Sequence, residues 1–515
     1  MDGIGSPSRI LALASSGVGC YRRSELSAAG AASPLGKKPE GDRWDLGRRR
    51  GRSRCMRRFG SALAVTAAAV FGSSALTAGC AGSHSSAPAT AGKSESAAAP
   101  TAHRSVALYG FAGPPPRLYA VDRRSLRPRR NRSVPVAGHV FGWSFSPERS
   151  RLAAGSDVTA ELRLYDLKRM RVLGDVRLVK PGVHGLVYAS TWAGRSRVLT
   201  AVVSPGCCGL GDTVVSAVDT DSLRVVWRRD LAGSLQAGAS YRGRFALVLG
   251  PKWAIGPSRL VLVQPNGRLR TLRLEQIRSG WQRYGHGADR FVSDQWNPGL
   301  ALDPASGRAF AVQAGAPLAQ VDLRRMSVRY HELAESISLL GRLHDWLDPA
   351  AEAKAMEGPD RHAVWLGDGR LAVTGVDYQA SVDSHGHQQE LDKPAGLKLI
   401  DTRNWSVHTL DHTTSSLTFS GGILFAFGTS WDSRTSKMSG SGLTAYDASG
   451  RKLYHRYGHQ PVIGVEPVPR GVLVSGSRGS VVFHHQDLLQ PQSGRLLGHA
   501  RVNVELLSGD EPFWF

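Results

Sequence analysis

Residues 141–170 read F-G-W-S-F-S-P-E-R-S-R-L-A-A-G-S-D-V-T-A-E-L-R-L-Y-D-L-K-R-M, and this stretch decides the fold. Residues 140–145 are apolar and aromatic, Ser146 to Arg149 is a turn with Pro147 at its second place, and residues 152–155 are a run of small apolar residues. Leu162, Leu164 and Leu167 mark a third run. Short apolar runs separated by Pro and Gly turns are half-buried strands. A unit of three such strands cannot bury its own faces, so copies of it must stack.

Copies run through the rest of the chain. Apolar runs end in Asp or a polar substitute at Asp122, Asp166, Asp219, Gln264, Asp322, Asp401, Asp447 and near His485. Most steps are roughly 40 to 60 residues, the length of a four-stranded unit, and the step from Asp322 to Asp401 is lengthened by insertions. A turn follows each run, as in D-T-D-S-L, Q-P-N-G-R or D-A-S-G-R. An Asp opening a turn accepts hydrogen bonds from backbone N–H groups two and three residues on, so these carboxylates are turn caps rather than catalytic groups. Upstream of each lies a hairpin, such as A-S-Y-R-G-R-F-A-L-V-L-G or L-T-F-S-G-G-I-L-F-A-F-G. Small residues in its second strand suit close packing near an axis.

The S-P-E turn, the L-A-A-G-S strand and the L-R-L-Y-D strand resemble a WD-type blade, with Tyr165-Asp166 in place of the Trp-Asp pair. The array is similar to the extracytoplasmic propeller group that includes YVTN-type and quinoprotein-like repeats. The resemblance covers most of residues 105–515 and implies an all-β propeller of four-stranded blades. Residues 105–130 supply three strands without an innermost one, and residues 501–507 are an orphan strand. Pairing the two ends closes the ring and removes exposed sheet edges. Eight blades are favoured; seven follow if residues 481–498 are not an outer pair.

Turns within the hairpins are short, whereas residues 276–296, 333–361, 377–395 and 429–440 are long. In a four-stranded blade all four belong to one face, the usual place for binding residues on a rigid scaffold. Leu333, Ile337, Leu340 and Leu347 space as a helix, and Asp348-Pro349 opens a second one through A-A-E-A-K-A-M-E, stopped by Gly358-Pro359. The expectation is a small helical insertion, either capping the channel or docking a partner. Asp383, His385 and His387 form a candidate metal site in the third long segment. His344-Asp345 and His331-Glu332 are weaker pairs of the same kind. No Ser/His/Asp order, phosphate-cradling Gly loop or H-E-x-x-H is present, so no nucleophile or general base can be named, and no cofactor is expected.

The front of the chain has a different character. Residues 1–55 are rich in Gly, Ser, Ala and Arg and cannot form a core; they read as disordered or as an over-extended start. Met56-Arg57-Arg58, an apolar and small-residue run over 59–76, and T-A-G-C ending at Cys80 have the order of a secretory signal peptide, 56–79. The cysteine at the cut resembles the lipobox of bacterial lipoproteins, which implies that Cys80 carries a diacylglycerol. Residues 80–104, small, polar and Pro-punctuated, are a flexible tether. Beyond Cys80 only Cys207 and Cys208 remain, in S-P-G-C-C-G-L-G-D; they can close a vicinal disulfide that stiffens the loop or stay reduced. Without C-x-x-C spacing a redox or metal role is not expected there.

The formal charge is +23, of which residues 1–79 hold thirteen basic and five acidic side chains. The remaining excess is mostly scattered Arg, which reads as solvated surface and excludes nucleic acid as a partner in the absence of a groove-reading helix or aromatic motif. Attraction to anionic lipid heads or wall polymers fits it. The expectation is a non-catalytic binding or scaffold propeller, lipid-anchored outside the cell membrane, that takes a protein, wall polymer or small ligand on its long-loop face. The other reading is a propeller enzyme, a lactonase-like hydrolase or quinoprotein-like oxidoreductase, with its site at the channel mouth.

Overall fold

The alternation of residues 141–170 makes three strands of one antiparallel sheet, Val140–Phe145, Arg151–Ser156 and Glu161–Asp166, completed by Arg171–Arg177. Leu152, Leu162 and Leu164 are fully buried, while the outermost strand is largely exposed. Both faces of the inner strands carry apolar side chains, so the sheet needs a neighbour on each side.

The computed structural model describes residues 108–507, apart from 113–114, 123–124, 137, 139, 157–158, 205–210, 253, 285–291, 334–353, 383–387, 433–436, 469–470, 479–480 and 501–503. It shows an all-β propeller of eight four-stranded blades. Numbered along the chain, the second blade is the sheet just described and the third runs from Leu186–Trp192 to Arg224–Leu231. The fourth runs from Ser234–Tyr241 to Leu269–Tyr284, and the fifth from Gly299–Asp303 to Ser327–His331. The sixth holds Lys354–Gly367, Arg370–Val382, Leu397–Asp401 and Ser406–Asp411. The seventh runs from Ser416–Ser420 to Lys452–Arg456, and the eighth from Val462–Val468 to Leu496–Ala500.

The first blade joins both ends of the ring. Val504–Leu507 is its innermost strand, pairing antiparallel with Leu108–Ala112, followed by Arg117–Val121 and Pro128–Pro135. The eighth blade has its outer pair, with Val481–Leu489 bonded to Leu496–Ala500, which settles the count at eight.

The core lies between blades rather than in a central mass. Tyr109, Phe111, Trp143 and Phe145 pack the first blade on the second. Leu199, Val215, Phe245 and Leu247 join the third to the fourth, and Phe310, Leu371 and Ile400 the fifth to the sixth. Leu108, Leu126, Val468 and Leu473 close the eighth onto the first. Near the axis the inner strands approach closely. Gly142, at φ +57°, sits where a Cβ would meet the carbonyl oxygen of Val187 on the next blade at 2.6 Å, so no larger residue fits without moving backbone.

The recurrent Asp residues cap turns as the sequence reading has them. Asp166 Oδ1 accepts the N–H groups of Lys168 and Arg169, Asp219 Oδ1 those of Asp221 and Ser222, and Asp322 Oδ1 those of Arg324 and Arg325. A further regularity is absent from that reading. The residue four places after the Asp has positive φ: Leu126, Met170, Leu223, Met326 and Trp405. A left-handed L-residue costs about 1–2 kcal/mol, and burial offsets it where, as at Leu126, the side chain is 1% exposed. Gly494 occupies the same place after Gln490, so the eighth turn begins at Gln490, five residues beyond His485.

The scattered arginines also have work beyond solvation. Arg132 donates to the Leu167 carbonyl of the next blade, Arg151 to Thr220 and Asp221, Arg197 to the Pro265 carbonyl, Arg270 to Leu323 and Arg324 carbonyls, and Arg370 to that of Ala448. Each clips one blade to the turn of its successor. The helical expectation fails at its far end, where Lys354 to Glu357 lie in the strand Lys354–Gly367; residues 334–353 lie outside the described residues. There, pairing with Arg370–Val382 and Val292–Trp296 overrides the local helical propensity of A-K-A-M-E.

Closure predicts that removing residues 501–515, which strips Leu108–Ala112 of its inner partner, lowers the urea-unfolding midpoint and promotes aggregation through the freed edge. An unchanged midpoint would contradict the closed ring.

Candidate functional site

On one face the strands overrun their blades. Leu269–Tyr284 continues past its blade for 16 residues in all, and its end pairs with Val292–Trp296 through Tyr284 and Val292, then Gly280 and Trp296. Val292–Trp296 pairs in parallel with the start of Lys354–Gly367, Ser293 opposite Met356 and Asp294 opposite Glu357. The end of Arg370–Val382 pairs with Gln388–Pro394, which reaches the seventh blade at Leu391 and Asp432. Ile423–Asp432 and Lys437–Asp447 then form the next overrunning hairpin. A continuous sheet, here called the crown, thus joins the fourth, sixth and seventh blades. The described residues of segments 276–296, 377–395 and 429–440 are chiefly strand rather than irregular loop, because the overruns bond to one another beyond their blades.

Crown and ring meet at Asp360. Asn297, 4% exposed, donates its N–H to the Pro359 carbonyl and accepts from the Arg361 N–H, tying the entry of the fifth blade to the inner strand of the sixth. Opposite Arg361 stands Gly375, where a Cβ would collide with the Asp360 carbonyl oxygen. Arg361 donates to the carbonyls of Asp360 and Val376 and pairs with Asp377 at 2.7 Å. The Asp360 side chain, 4% exposed, has no hydrogen-bond partner at Oδ1 among the described residues, and its Oδ2 lies 3.9 Å from His362 Nε2. Two residues apart on one strand, Asp360 and His362 share a face.

Burial dominates the electrostatics. It pushes the Asp360 carboxyl up to about 8, with the Arg361 charge opposing, and the His362 imidazole down to about 4, with Arg361 adding to the effect. Tyr378 is held well above its ordinary value by burial, then by the charges of Asp360 and Asp392. At neutral pH the pair is therefore largely a protonated carboxyl beside a neutral imidazole. Such a pair can hold and pass a proton. A nucleophile and a set of oxyanion donors would be needed for acyl or phosphoryl chemistry, and neither converges with it among the described residues.

The residues singled out by sequence fall elsewhere. Asp383, His385 and His387 lie outside the described residues, between the paired Val382 and Gln388; Cys80, Cys207 and Cys208 lie outside them too, as does His344-Asp345. Among the described residues no three His, Cys, Asp or Glu side chains are grouped to hold a metal. His331 stacks on Trp405 at 3.5 Å and bonds Gln320 across its own blade, a packing role. Asp360 was hidden by its neighbours G-P, which read as a helix stop. The alternation of Asp360, His362, Val364 and Leu366 was the signal that could have placed it on a strand.

The pair sets a pH dependence. Folded Asp360 keeps its proton to about pH 8, whereas an unfolded Asp loses it near 4, so this group's contribution to stability declines as pH rises between those values. His362 acts oppositely, its contribution recovering as pH rises from about 4 to 6.5. Above pH 6.5 only the Asp360 loss remains, about 2 kcal/mol by pH 8. Asp360→Asn should abolish that loss, seen as a difference in unfolding free energy between variant and parent that grows from pH 6.5 to 8; a constant difference would refute the burial of an ionisable carboxyl there.

No protein-family model and no curated protein matches the chain. Solved structures do. A dihydro-heme d1 dehydrogenase, NirN in complex with DHE, is 13% identical with TM-score 0.46, over 80% of this chain and 76% of that one. BamB from Moraxella catarrhalis is 11% identical with TM-score 0.37, over 70% and 90%. Saccharomyces cerevisiae Sqt1 is 13% identical with TM-score 0.43, over 72% and 90%. The chain's own strand pairing, closed by Val504–Leu507 on Leu108–Ala112, makes it an eight-bladed β-propeller.

Proposed function

We propose that this chain is a lipid-anchored propeller on the outer side of the cell membrane that binds a protein partner on its crown face without catalysing a reaction. The crown carries this reading. One face is built outward by overrunning strands from three blades, while the hairpin turns of the other face stay short. A hydrogen-bonded platform loses little entropy on binding, which favours a rigid docking face over mobile loops. The anchor rests on the signal-like residues 56–79 ahead of Cys80, and the tether 80–104 gives the ring reach from the bilayer. A second reading, a propeller enzyme, draws on the Asp360–His362 pair as a proton relay.

A photo-crosslinker at exposed Lys393, on the crown, is expected to capture a discrete partner on intact cells, and one at exposed Lys168, on a turn of the opposite face, to capture none. Equal capture from both positions would overturn the face assignment. Asp360→Asn should leave that capture unchanged; its loss would favour a working role for the pair. Cys80→Ser is expected to move the protein from the membrane fraction to the soluble fraction, and unchanged fractionation would refute the anchor.

A further inference from the structure

Scattered along the sequence, the arginines are gathered by the repeat. In each blade the inner and outer hairpin turns share the face opposite the crown, so basic residues placed at those turns all return to that face. In the second to fifth blades the turns are residues 146–151, 166–171, 193–197, 219–224, 241–244, 264–268, 303–308 and 322–327. They hold fourteen basic and six acidic side chains, each capping aspartate counted at its full charge. In the sixth and seventh blades the same turns, 367–370, 401–406, 420–423 and 447–452, hold four basic and three acidic ones. The excess is an arc over half the ring.

Part of that charge is committed. Arg149 lies over the Phe145 ring at 4.0 Å, and Arg151 and Arg197 are clips to the next blade. Eleven basic residues remain against the six acids, of which Asp221 already answers Arg151. Arg195, Arg224, Arg244 and Arg268 are exposed and belong to no ion pair among the described residues. On the opposite face of these blades Lys252 is paired with Asp212 at 2.5 Å, and Glu161 and Glu332 offset Arg177 and Lys180. A surface of one predominant sign raises a potential that reaches about 10 Å into solvent at ~0.1 M salt.

The path of the chain selects the same face. Leu108, the first described residue, begins the second strand of the first blade, pairs with Val121 and packs on Leu126 of the outer turn. Beside it, Tyr109 donates its hydroxyl to the Leu167 carbonyl, in the turn that carries Lys168 and Arg169. The ring is thus entered from its basic side.

We propose that the turn face of the second to fifth blades lies against an anionic phospholipid bilayer, leaving the crown turned away from the membrane. This deepens the proposed function and rests on its membrane anchor: a chain held through residues ahead of Leu108 meets the bilayer with the face it enters by. Guanidinium groups suit the task, since their forks bond phosphate oxygens two at a time and their charge persists at every physiological pH. A bilayer fits better than a single anionic ligand, because the arginines are spread over the turns of several blades rather than converged on one cavity.

Co-sedimentation of the full chain carrying Cys80→Ser, which no acyl group can hold to a membrane, tests the face. It should bind phosphatidylcholine vesicles containing about 30% phosphatidylglycerol, ignore vesicles of phosphatidylcholine alone, and be released at about 0.5 M salt. A basic residue near such a surface contributes about fivefold to partitioning. The triple variant Arg195→Gln, Arg244→Gln, Arg268→Gln should therefore weaken binding about a hundredfold. Arg177→Gln, Lys180→Gln, Lys252→Gln removes the same charge from the opposite face and should change it by about twofold at most. Unaltered melting curves for both triples, expected because all six side chains are exposed, separate loss of binding from loss of fold. Equal loss from the two triples would overturn the face, and absence of binding to the anionic vesicles would overturn the surface. Binding confined to soluble poly(glycerol phosphate) would assign the arc to a wall polymer and overturn the bilayer. In intact membranes a photo-crosslinker at Lys168 should label phospholipid and one at Lys393 should not; the reverse would overturn the orientation. Anchor and face fail separately: a parent that carries no acyl group leaves vesicle binding intact, whereas a face that does not bind leaves fractionation of an acylated parent unchanged.

Discussion

The apolar contact between one blade and the next is the interaction on which everything else depends. Each sheet is buried on both faces, so no blade is stable alone and the series must close on itself. Leu108, Leu126, Val468 and Leu473 form the last of these contacts, and Val504–Leu507 fixes it by pairing with Leu108–Ala112. An open series would leave one apolar face and one sheet edge in water.

Polar groups follow from the same constraint. With the interior given to apolar side chains, the turns must satisfy their own backbone, and a recurrent Asp does so at the outer hairpins of six blades, with Gln264 and Gln490 in its place at the other two. Arginine then spans the gap between blades at the turn face, where its long stem and several donors reach the next blade's carbonyls. At Arg132, Arg151, Arg197, Arg270 and Arg370 the positive charge serves the ring itself.

The junction below the crown departs from this economy. Asp360 is buried with one oxygen unpartnered among the described residues, and Gly375 stands where no side chain fits. A buried carboxyl without full hydrogen bonding is costly when ionised, and this one stays protonated to about pH 8.

Legibility in the sequence tracks the range of the interactions. The strands of residues 141–170, their Pro147 turn and the Asp166 cap depend on neighbours within a few residues, and so do their copies; periodicity and turn chemistry were enough for a closed propeller of four-stranded blades, while the choice of eight over seven waited on the pairing of Val481–Leu489 with Leu496–Ala500. The orphan strand read at 501–507, found at Val504–Leu507, was legible because the first blade lacked an innermost strand and a closed ring needs one. By contrast, residues 354–357 have helical text and lie in a strand, since long-range pairing outweighs local propensity. Left-handed Leu126 was invisible because burial, not residue type, sustains it. Asp360 with His362 became a site only when folding took the carboxyl out of water and half-buried the imidazole beside it. Sequence alone determined the scaffold, whose rules are local and repeated; the tertiary structure decided the sites, because convergence of distant side chains happens once and leaves no period to read.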